Sequence, residues 1–389
     1  MYQRNVRLLS IFNFLIGFTF FAPLAIIYFS KVAGSYTLGA SVFGIIMLSS
    51  AFFEIPTGIL SDKVGRKHTI VLGSIARVLA FIFYALGFSY LFLVIGAILE
   101  GLSRSFYSGN NEAFLYDTLA DEGKENEYRK YLGQTSSSEH IGLALSAAIG
   151  GLIASFSFSY VMWIAVVSQV ALLLISFRFT VPKSRRNEET NIYGHLSEAV
   201  KLFVTNKKLR LLSIASILEN SFGELAYQFR GAFYSTLWPI WAIGLTSVLS
   251  HLYVSVGLHF SGKILGKMKT ETAVLVKSIL DRLISLVSLI FPTIFSPVLM
   301  SSTSFLYGLG LVAESELRQR EFKDHQRATM NSLISLGRAV GAALMTLVLG
   351  KTADILGPRQ ALIMMVLLSF SVTFIYWIIH NNERKNING

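Results

Sequence analysis

The chain has 389 residues, of which 53% are hydrophobic and only 15% are charged. This composition is too apolar for a soluble protein of two or three domains and favours a membrane protein. The net charge of +11 does not indicate nucleic-acid binding, because the basic residues form short clusters between apolar runs instead of one patch. The absence of cysteine excludes disulfides and thiolate metal sites.

Apolar runs long enough to cross a bilayer recur along the whole chain. The seventh, ninth and tenth of them are the least apolar, because charged residues or prolines interrupt them. We predict twelve transmembrane helices, hence an all-α membrane protein, with spans at residues 8–29, 38–60, 68–86, 91–119, 132–155, 158–181, 209–233, 238–260, 273–291, 294–316, 327–350 and 360–380.

The lysines and arginines concentrate in every second loop between the predicted spans. If the N terminus is inside, the inner loops hold most of the 34 basic residues. Basic residues in short loops stay on the cytoplasmic side of a membrane. We therefore expect a multi-pass protein of the cell inner or plasma membrane, with both termini in the cytoplasm.

One long polar connector, residues 182–208, divides the spans into two groups of six. Apolar residues recur in it at helical spacing beside lysines, which predicts an amphipathic helix on the inner membrane surface. The charged loops of residues 1–181 recur in residues 209–389 at an offset of about 200 residues, as in transporters with internal repeats. We predict an N-terminal and a C-terminal six-helix bundle joined by this cytoplasmic linker.

The loop between the second and third spans reads Gly-Ile-Leu-Ser-Asp-Lys-Val-Gly-Arg-Lys from Gly58 to Lys67 and is called the motif loop below. Gly58 and Gly65 permit close packing and a tight turn. Asp62 is well placed to meet the positive N terminus of a neighbouring helix. In sequence, position and sidedness this loop resembles motif A of the major facilitator superfamily.

The resemblance implies a major facilitator fold, with twelve transmembrane helices in two pseudo-symmetric halves and transport by alternating access. In that family the loop is a cytoplasmic gate, and its arginine contacts a carboxylate at the inner end of the fourth helix. Asp117 or Asp121 is the candidate carboxylate here. The gate residues that the resemblance implies are Gly58, Asp62, Gly65, Arg66, Lys67 and Asp117.

Two other family motifs are degenerate. The fourth span lacks the arginine of motif B. In the fifth span, Gly142, Gly150 and Gly151 keep the glycines of the antiporter motif C, whereas Ser146 and Ala147 replace its Gly-Pro pair. We expect close helix packing at these glycines, and the lost pair weakens an antiporter assignment.

Polar residues inside the spans are candidates for function, because a charge at the bilayer centre costs about 2.5–3.5 kcal/mol and is usually paired or lines a water-filled path. In the fourth span, four of them recur at spacings of four, three and four, which predicts one helical face. We predict a substrate and proton path lined by Asn13, Glu100, Arg104, Tyr107, Asn111, Asn220, Glu224, Tyr227, His251 and Arg338.

Two acidic residues are candidates to take up a proton or a cation. Glu100 is either a titrating group that Arg104 modulates or half of a neutralising structural pair, and both alternatives stay open. Glu224 lies near the middle of the seventh span with no cation four residues on, which favours a proton or substrate role. Arg338 suits an anionic group.

No pattern in the sequence indicates an enzyme. The phosphate-binding Gly-x-x-x-x-Gly-Lys-Ser/Thr loop is absent, and the histidines lack companions at metal-ligand spacing. We expect no cofactor and no metal. Sequence and resemblance together predict a monomer in the lipid bilayer that exports a small amphipathic or cationic solute, coupled to protons. The alternatives are an importer or facilitator of a nutrient, metabolite or organic anion, which Arg104 and Arg338 favour, and a non-transporting membrane sensor.

Overall fold

A computed structural model of the chain describes residues 2–182, 203, 205–321 and 327–388. These residues form helices joined by short connections, with no strand among them. In these ranges the α-helices, numbered in chain order, are α1 (Tyr2–Gly17), α2 (Ala25–Ala33), α3 (Tyr36–Val64), α4 (Arg66–Leu86), α5 (Tyr90–Tyr107), α6 (Asn110–Ala120), α7 (Tyr128–Ala154), α8 (Phe158–Phe177), α9 (Lys207–Tyr234), α10 (Ile240–Leu265), α11 (Thr270–Ile290), α12 (Ser296–Glu321), α13 (Arg327–Leu356) and α14 (Pro358–Asn388).

Ten of the twelve predicted spans are long and apolar enough to cross a membrane. The other two, α9 and α11, have 28 and 21 residues, which at 1.5 Å per residue is also long enough. They are the seventh and ninth spans, whose charges reduce their hydropathy. The tenth span was expected to be equally weak, but Ser296–Glu321 is apolar enough. Pro297 lies in the first turn of α12, where proline is tolerated. The predicted all-α membrane fold is confirmed.

Two spans are broken within their length. The first consists of α1 and α2, and between them Phe20 lies in the left-handed region with a φ of 62°. The fourth consists of α5 and α6, separated by Ser108 and by Gly109, whose φ is 66°. Left-handed residues do not continue a right-handed helix. The helical register therefore does not run across either break.

The connection between α2 and α3 shows how the sequence ends one helix and begins the next. Gly34 follows α2 with a φ of 83°, a conformation that glycine adopts without a Cβ penalty. Ser35 then caps α3, because its Oγ accepts a hydrogen bond from the backbone N–H of Leu38 at 3.2 Å. A two-residue turn is sufficient to end one spanning helix and start another.

The helices group into two compact units. The first unit contains α1 to α8 together with residues Pro239–Val248, and the second contains α9, the rest of α10, and α11 to α14. The amphipathic helix predicted in the linker falls on residues 183–202 and 204, which lie outside the described residues. The predicted boundaries of the two bundles stay a prediction.

The same helix pairing recurs inside each unit. In the first unit α1 packs against α7 and α8, and α4 packs against α5 and α8. In the second unit α9 packs against α13 and α14, and α11 packs against α12 and α14. Counted as spans, these contacts pair the first with the fifth and sixth, and the third with the fourth and sixth, in both units. This agrees with the internal repeat expected from the charged loops.

The glycines of α7 allow α1 to approach it closely. A Cβ at Gly142 would overlap the carbonyl oxygen of Phe14, and one at Gly150 would overlap that of Phe20. Close approach of backbones at small residues is a main means by which helices associate in lipid. The packing expected at the retained motif C glycines is therefore present.

Substituting Gly150 by alanine is expected to destabilise the protein by about 1–3 kcal/mol, because the new methyl group displaces the backbone at Phe20, between α1 and α2, from α7. Thermal unfolding of the purified protein in detergent measures the loss. Gly133→Ala is the matched control on the same helix, since no atom lies within 4 Å of a Cβ there. Equal unfolding temperatures for the two variants would show that the close approach contributes nothing.

Candidate functional site

The motif loop is a tight junction between α3 and α4. Gly65 separates the two helices with a φ of 89°, which explains the glycine at this position. Ser61 and Asn110 fasten the junction: Ser61 Oγ donates to Asn110 Oδ1 at 2.9 Å, and Asn110 Nδ2 donates to the backbone oxygen of Arg66 at 3.1 Å. The loop is thus attached to the start of α6.

Arg66 lies between two carboxylates. Its Nε is 3.9 Å from Oδ2 of the buried Asp117, and its Nη1 is 4.0 Å from Oδ1 of the exposed Asp62. The contact between Arg66 and Asp117 that the resemblance implied is present. Lys67 is half-buried. The expectation for Gly58 was wrong within the described residues, because no atom lies within 4 Å of a Cβ built there.

Glu100 is buried in the first unit and paired. Arg104 Nη2 donates to its Oε1 at 2.7 Å, and Tyr84 Oη donates to its Oε2 at 2.9 Å. Its residue exposure is 6%, whereas the Arg104 side chain is 51% exposed. Both carboxylate oxygens are satisfied, so this geometry favours the structural pair over a carboxylate that waits for a cation.

Beyond Arg104, the predicted polar face of the fourth span is covered by protein at Tyr107 and interrupted before Asn111. Tyr107 is turned into the first unit, where its hydroxyl donates to Ser74 Oγ at 3.1 Å and its ring meets Phe12 edge-on. Asn111 follows the break at Gly109, so it does not continue the register of α5. The assumption of one uninterrupted helix holds as far as Tyr107, at the end of α5, and fails at Asn111.

Asn13 also contacts protein instead of an open path. It is buried, and its Nδ2 donates to the backbone oxygen of Thr135 at 3.2 Å, which links α1 to α7. Nearby, Arg77 is 5% exposed; its Nε donates to Gln169 at 2.8 Å and its Nη2 to the carbonyl of Ile16 at 2.7 Å. These buried polar groups hold α1, α4, α7 and α8 together.

The second unit contains a buried group of opposite charges, called the charge cluster below. Glu219 of α9 accepts from Lys277 at 3.1 Å and from Arg282, both on α11. Lys277 also donates to Glu314 of α12 at 2.8 Å, and Arg282 donates to Asp281 at 3.2 Å. The cluster ties three spanning helices together, and it accounts for the low hydropathy of α9 and α11.

Two more arginines adjoin the charge cluster, and they share one hydroxyl group as a hydrogen-bond acceptor. Arg318 Nη1 donates to Ser216 Oγ at 3.1 Å, and Arg338 Nη2 donates to the same oxygen. Arg318 Nη1 is also 4.0 Å from Glu314 Oε2. The arrangement therefore extends over α9, α11, α12 and α13.

Glu224 lies beside the charge cluster but in a different environment. It is half-buried, and its Oε1 accepts from the neutral Gln228 at 3.0 Å. In the described part of the chain no cation lies within 4 Å of it. Tyr307, whose residue is 53% exposed, interacts electrostatically with both Glu224 and Arg338. Tyr307 is thus within electrostatic range of both an acidic and a basic side chain of the second unit.

The remaining predicted path residues are partly covered. Asn220 and His251 are half-buried, and the backbone oxygen of His251 accepts from Ser255 Oγ at 2.9 Å. Tyr227 is half-buried beneath Arg230, whose guanidinium lies 5.7 Å from the centre of its ring. Of the predicted path, the structure brings Glu100 and Arg104 together in an ion pair.

Sequence reasoning missed Ser216, Tyr307, Glu314 and Arg318. A signal existed for the last two, since they are spaced i and i+4 on α12, but the predicted tenth span ended at residue 316. Ser216 carries no charge and therefore gave no signal. Among the described residues, no group of three or more histidine, cysteine or acidic side chains could hold a metal ion.

The chain matches the sequence profile of a known protein family. Residues 8–344 match the sequence profile of the Major Facilitator Superfamily. An uncharacterized transporter of Buchnera aphidicola is 33% identical over 175 residues, which span 44% of this chain and 43% of that protein. The chain thus matches less than half the length of that relative.

Two further similarities extend over most of the chain. The tetracycline resistance protein, class B, of Escherichia coli is 24% identical over 319 residues, which cover 78% of this chain and 77% of that protein. The crystal structure of the nucleoside transporter NupG superposes with a TM-score of 0.80 at 14% identity, covering 97% of this chain and 98% of that one. The second similarity shows the fold alone.

The family profile, the helical pairing and the twelve spans all indicate the same fold. They describe a multi-pass membrane protein with two pseudo-symmetric six-helix halves, and the family and the relatives that it resembles are transporters and not enzymes. The protein belongs to the major facilitator superfamily, whose members carry small-molecule substrates.

Proposed function

We propose that the protein is a proton-coupled secondary transporter of a small amphipathic solute and that Glu224 binds the coupling proton. The supporting observation is the contrast between Glu224 and two other carboxylates within the spans, Glu100 and Glu219. Glu100 and Glu219 are each paired with cations, whereas Glu224 accepts from the neutral Gln228. A carboxylate without a cation in a spanning helix gains or loses a proton more readily than one fixed by a salt bridge.

Two directions of transport are consistent with this proposal. Efflux is the direction predicted from the sequence, and the similarity to the tetracycline resistance protein supports it. Uptake of an organic anion is the second candidate, and Arg318 and Arg338 of the second unit, which share the hydroxyl of Ser216, support it. An anion beside Glu224 binds more tightly when that carboxyl is neutral, so proton and solute would then travel together.

Flux into proteoliposomes with an imposed pH gradient tests proton coupling. A panel of amphipathic anions, cations and neutral solutes, with tetracycline included, covers both candidates. At least one probe is expected to accumulate with the gradient and to stop accumulating when a protonophore removes it. Transport of every probe at a rate independent of the gradient would contradict the proposal.

The proposed sidedness places both termini and the motif loop in the cytoplasm of a cell that carries the protein in its inner or plasma membrane. We propose that the motif loop is the inner gate there. Arg66 bridges the junction of α3 and α4 to Asp117 on α6, so the loop and the end of the fourth span move as one body. Loss of this contact should loosen the closed inner side.

Asp117→Ala is expected to shift the population away from the outward-open state. A partly exposed ion pair contributes about 0.5–1 kcal/mol, so the ratio of the two states should change about two- to fivefold. Because the chain has no cysteine, single cysteines introduced into the outer halves of the spans report accessibility through their labelling rates. Glu125→Gln, which removes an exposed charge, is the control. Unchanged labelling rates in Asp117→Ala would refute the gate.

A further inference from the structure

Two guanidinium groups in the second unit share one neutral acceptor. Arg318 Nη1 and Arg338 Nη2 both donate to Ser216 Oγ. Two donors within hydrogen-bond reach of the same oxygen bring their positive charges close together. Like charges at such range repel strongly where water is partly excluded, so this arrangement favours a negative group beside them.

The carboxylates that contact these cations do not supply enough negative charge, and Glu224 lies within 4 Å of none of them in the described part of the chain. The charge cluster with its two added arginines contains four cations, Lys277, Arg282, Arg318 and Arg338, but only three carboxylates, Glu219, Asp281 and Glu314. Glu314 Oε1 already accepts from Lys277 at 2.8 Å, and its other oxygen is 4.0 Å from Arg318. Among the described residues, the excess positive charge therefore lies on the side of Arg318 and Arg338.

One N–H group of Arg338 has no hydrogen-bond acceptor among the described residues. Its Nε is buried and has no hydrogen-bond acceptor within the described part of the chain. The Nε of Arg230 in the same unit likewise has no acceptor among the described residues, but its two Nη groups donate to the carbonyl oxygen of Met300 and to Thr303 Oγ1 at 3.0 and 3.2 Å. Arg338 differs in that its Nη2 donates to a hydroxyl that a second arginine shares. A guanidinium presents a planar fork that matches the two oxygens of a carboxylate.

We propose that Arg318 and Arg338, bridged by Ser216, bind the carboxylate group of the transported solute. This inference rests on the proposed transport function and names its substrate class as amphipathic organic carboxylates. The half-exposed ring of Tyr307, which lies near Arg338, supplies an apolar surface next to the charged end of such a solute. In this proposal Ser216 positions both arginines, because its Oγ accepts from each of them.

Three matched probes test the charge preference in purified protein without any gradient. Benzoate is anionic, benzyl alcohol is neutral and benzyltrimethylammonium is cationic, and all carry the same ring. Benzoate is expected to raise the unfolding temperature in a concentration-dependent manner, because a ligand that binds the folded state stabilises it by mass action. The other two probes are expected to cause a clearly smaller shift.

Variants then locate the site. Arg338→Gln and Arg318→Gln are each expected to weaken benzoate binding by about tenfold or more, as loss of a buried charge contact usually does. Arg338→Lys keeps the charge without the fork and should bind with intermediate affinity. Arg320→Gln is the control, because Arg320 lies on the same helix, is 54% exposed and pairs with Glu316. The Arg320→Gln variant should bind benzoate with the affinity of the wild type.

The unfolding temperature of each variant without probe separates a loss of binding from a loss of folding. The inference is overturned if benzoate gives no shift at up to about 10 mM, where a millimolar Kd would be saturated. Equal responses to the anionic and cationic probes would overturn it as well, and so would wild-type benzoate affinity in both glutamine variants.

Failure of this inference and failure of proton coupling give different results. If benzoate binding requires Arg338 but flux does not depend on the pH gradient, proton coupling is refuted and the carboxylate site is supported. If the pH gradient drives transport of a cationic probe and benzoate does not bind, proton coupling is supported and the carboxylate site is refuted.

Discussion

Replacing Glu219 by alanine is expected to destabilise the second unit by about 3–5 kcal/mol, enough to prevent recovery of a monodisperse protein. The reason is that two buried cations lose their shared carboxylate. Arg282 is 2% exposed and Lys277 is 6% exposed, so neither can recover hydration by turning outward. Unfolding temperature and the yield of monodisperse protein in detergent measure the effect.

Glu316→Ala is the matched control for this substitution. Glu316 also pairs with an arginine, but its side chain is 39% exposed and that of Arg320 is 54% exposed, so its loss should cost about 1 kcal/mol or less. A double variant, Glu219→Leu with Arg282→Met, should be more stable than Glu219→Ala, because it leaves one fewer unpaired buried charge. An unfolding temperature of Glu219→Ala equal to that of wild type would refute the structural role of the charge cluster.

The spans and the family could be predicted from the sequence because each rests on a local signal. Twenty apolar residues predict a helix across the bilayer, and the motif loop from Gly58 to Lys67 is a contiguous string. The pairing of Arg66 with Asp117 came from the family resemblance, and the structure contains the contact at 3.9 Å. Neither step required knowledge of how distant helices pack.

The predicted path was less successful because it depended on helix continuity and on packing. The spacing from Glu100 to Asn111 gives one face only if the helix is unbroken, and the positive φ of Gly109 cannot be read from spacing. Tyr107 precedes the break, and its packing against Phe12 within the first unit depends on tertiary contacts that spacing does not indicate. Similarly, Lys277 looked like an interruption of a span, because its partners Glu219 and Glu314 are 58 and 37 residues away along the chain.

Glu224→Gln is expected to abolish proton-driven accumulation while preserving binding of the solute. Glutamine has nearly the same shape and can still accept a hydrogen bond from Gln228 through its amide oxygen, but it does not titrate. Coupling between two ligands is typically about 1–3 kcal/mol, so accumulation driven by the gradient should fall by about tenfold or more. Glu125→Gln, which removes an exposed charge, should accumulate solute as the wild type does.

Exchange must be measured beside net flux, because a variant that fails to fold also loses accumulation. Exchange of labelled for unlabelled solute across the membrane needs binding and alternating access but no net movement of protons. Glu100→Gln is informative in the same experiment. Its carboxylate is held by Arg104 and Tyr84, so its loss should lower stability and should not separate exchange from accumulation.

The most direct measurement is therefore the ratio of gradient-driven accumulation to solute exchange in proteoliposomes of Glu224→Gln and of wild type, with the solute that the probe panel identifies. If Glu224 binds the coupling proton, the variant exchanges solute at close to the wild-type rate and does not accumulate it under an imposed pH gradient. If Glu224→Gln accumulates solute with the wild-type dependence on the gradient, Glu224 does not bind the coupling proton.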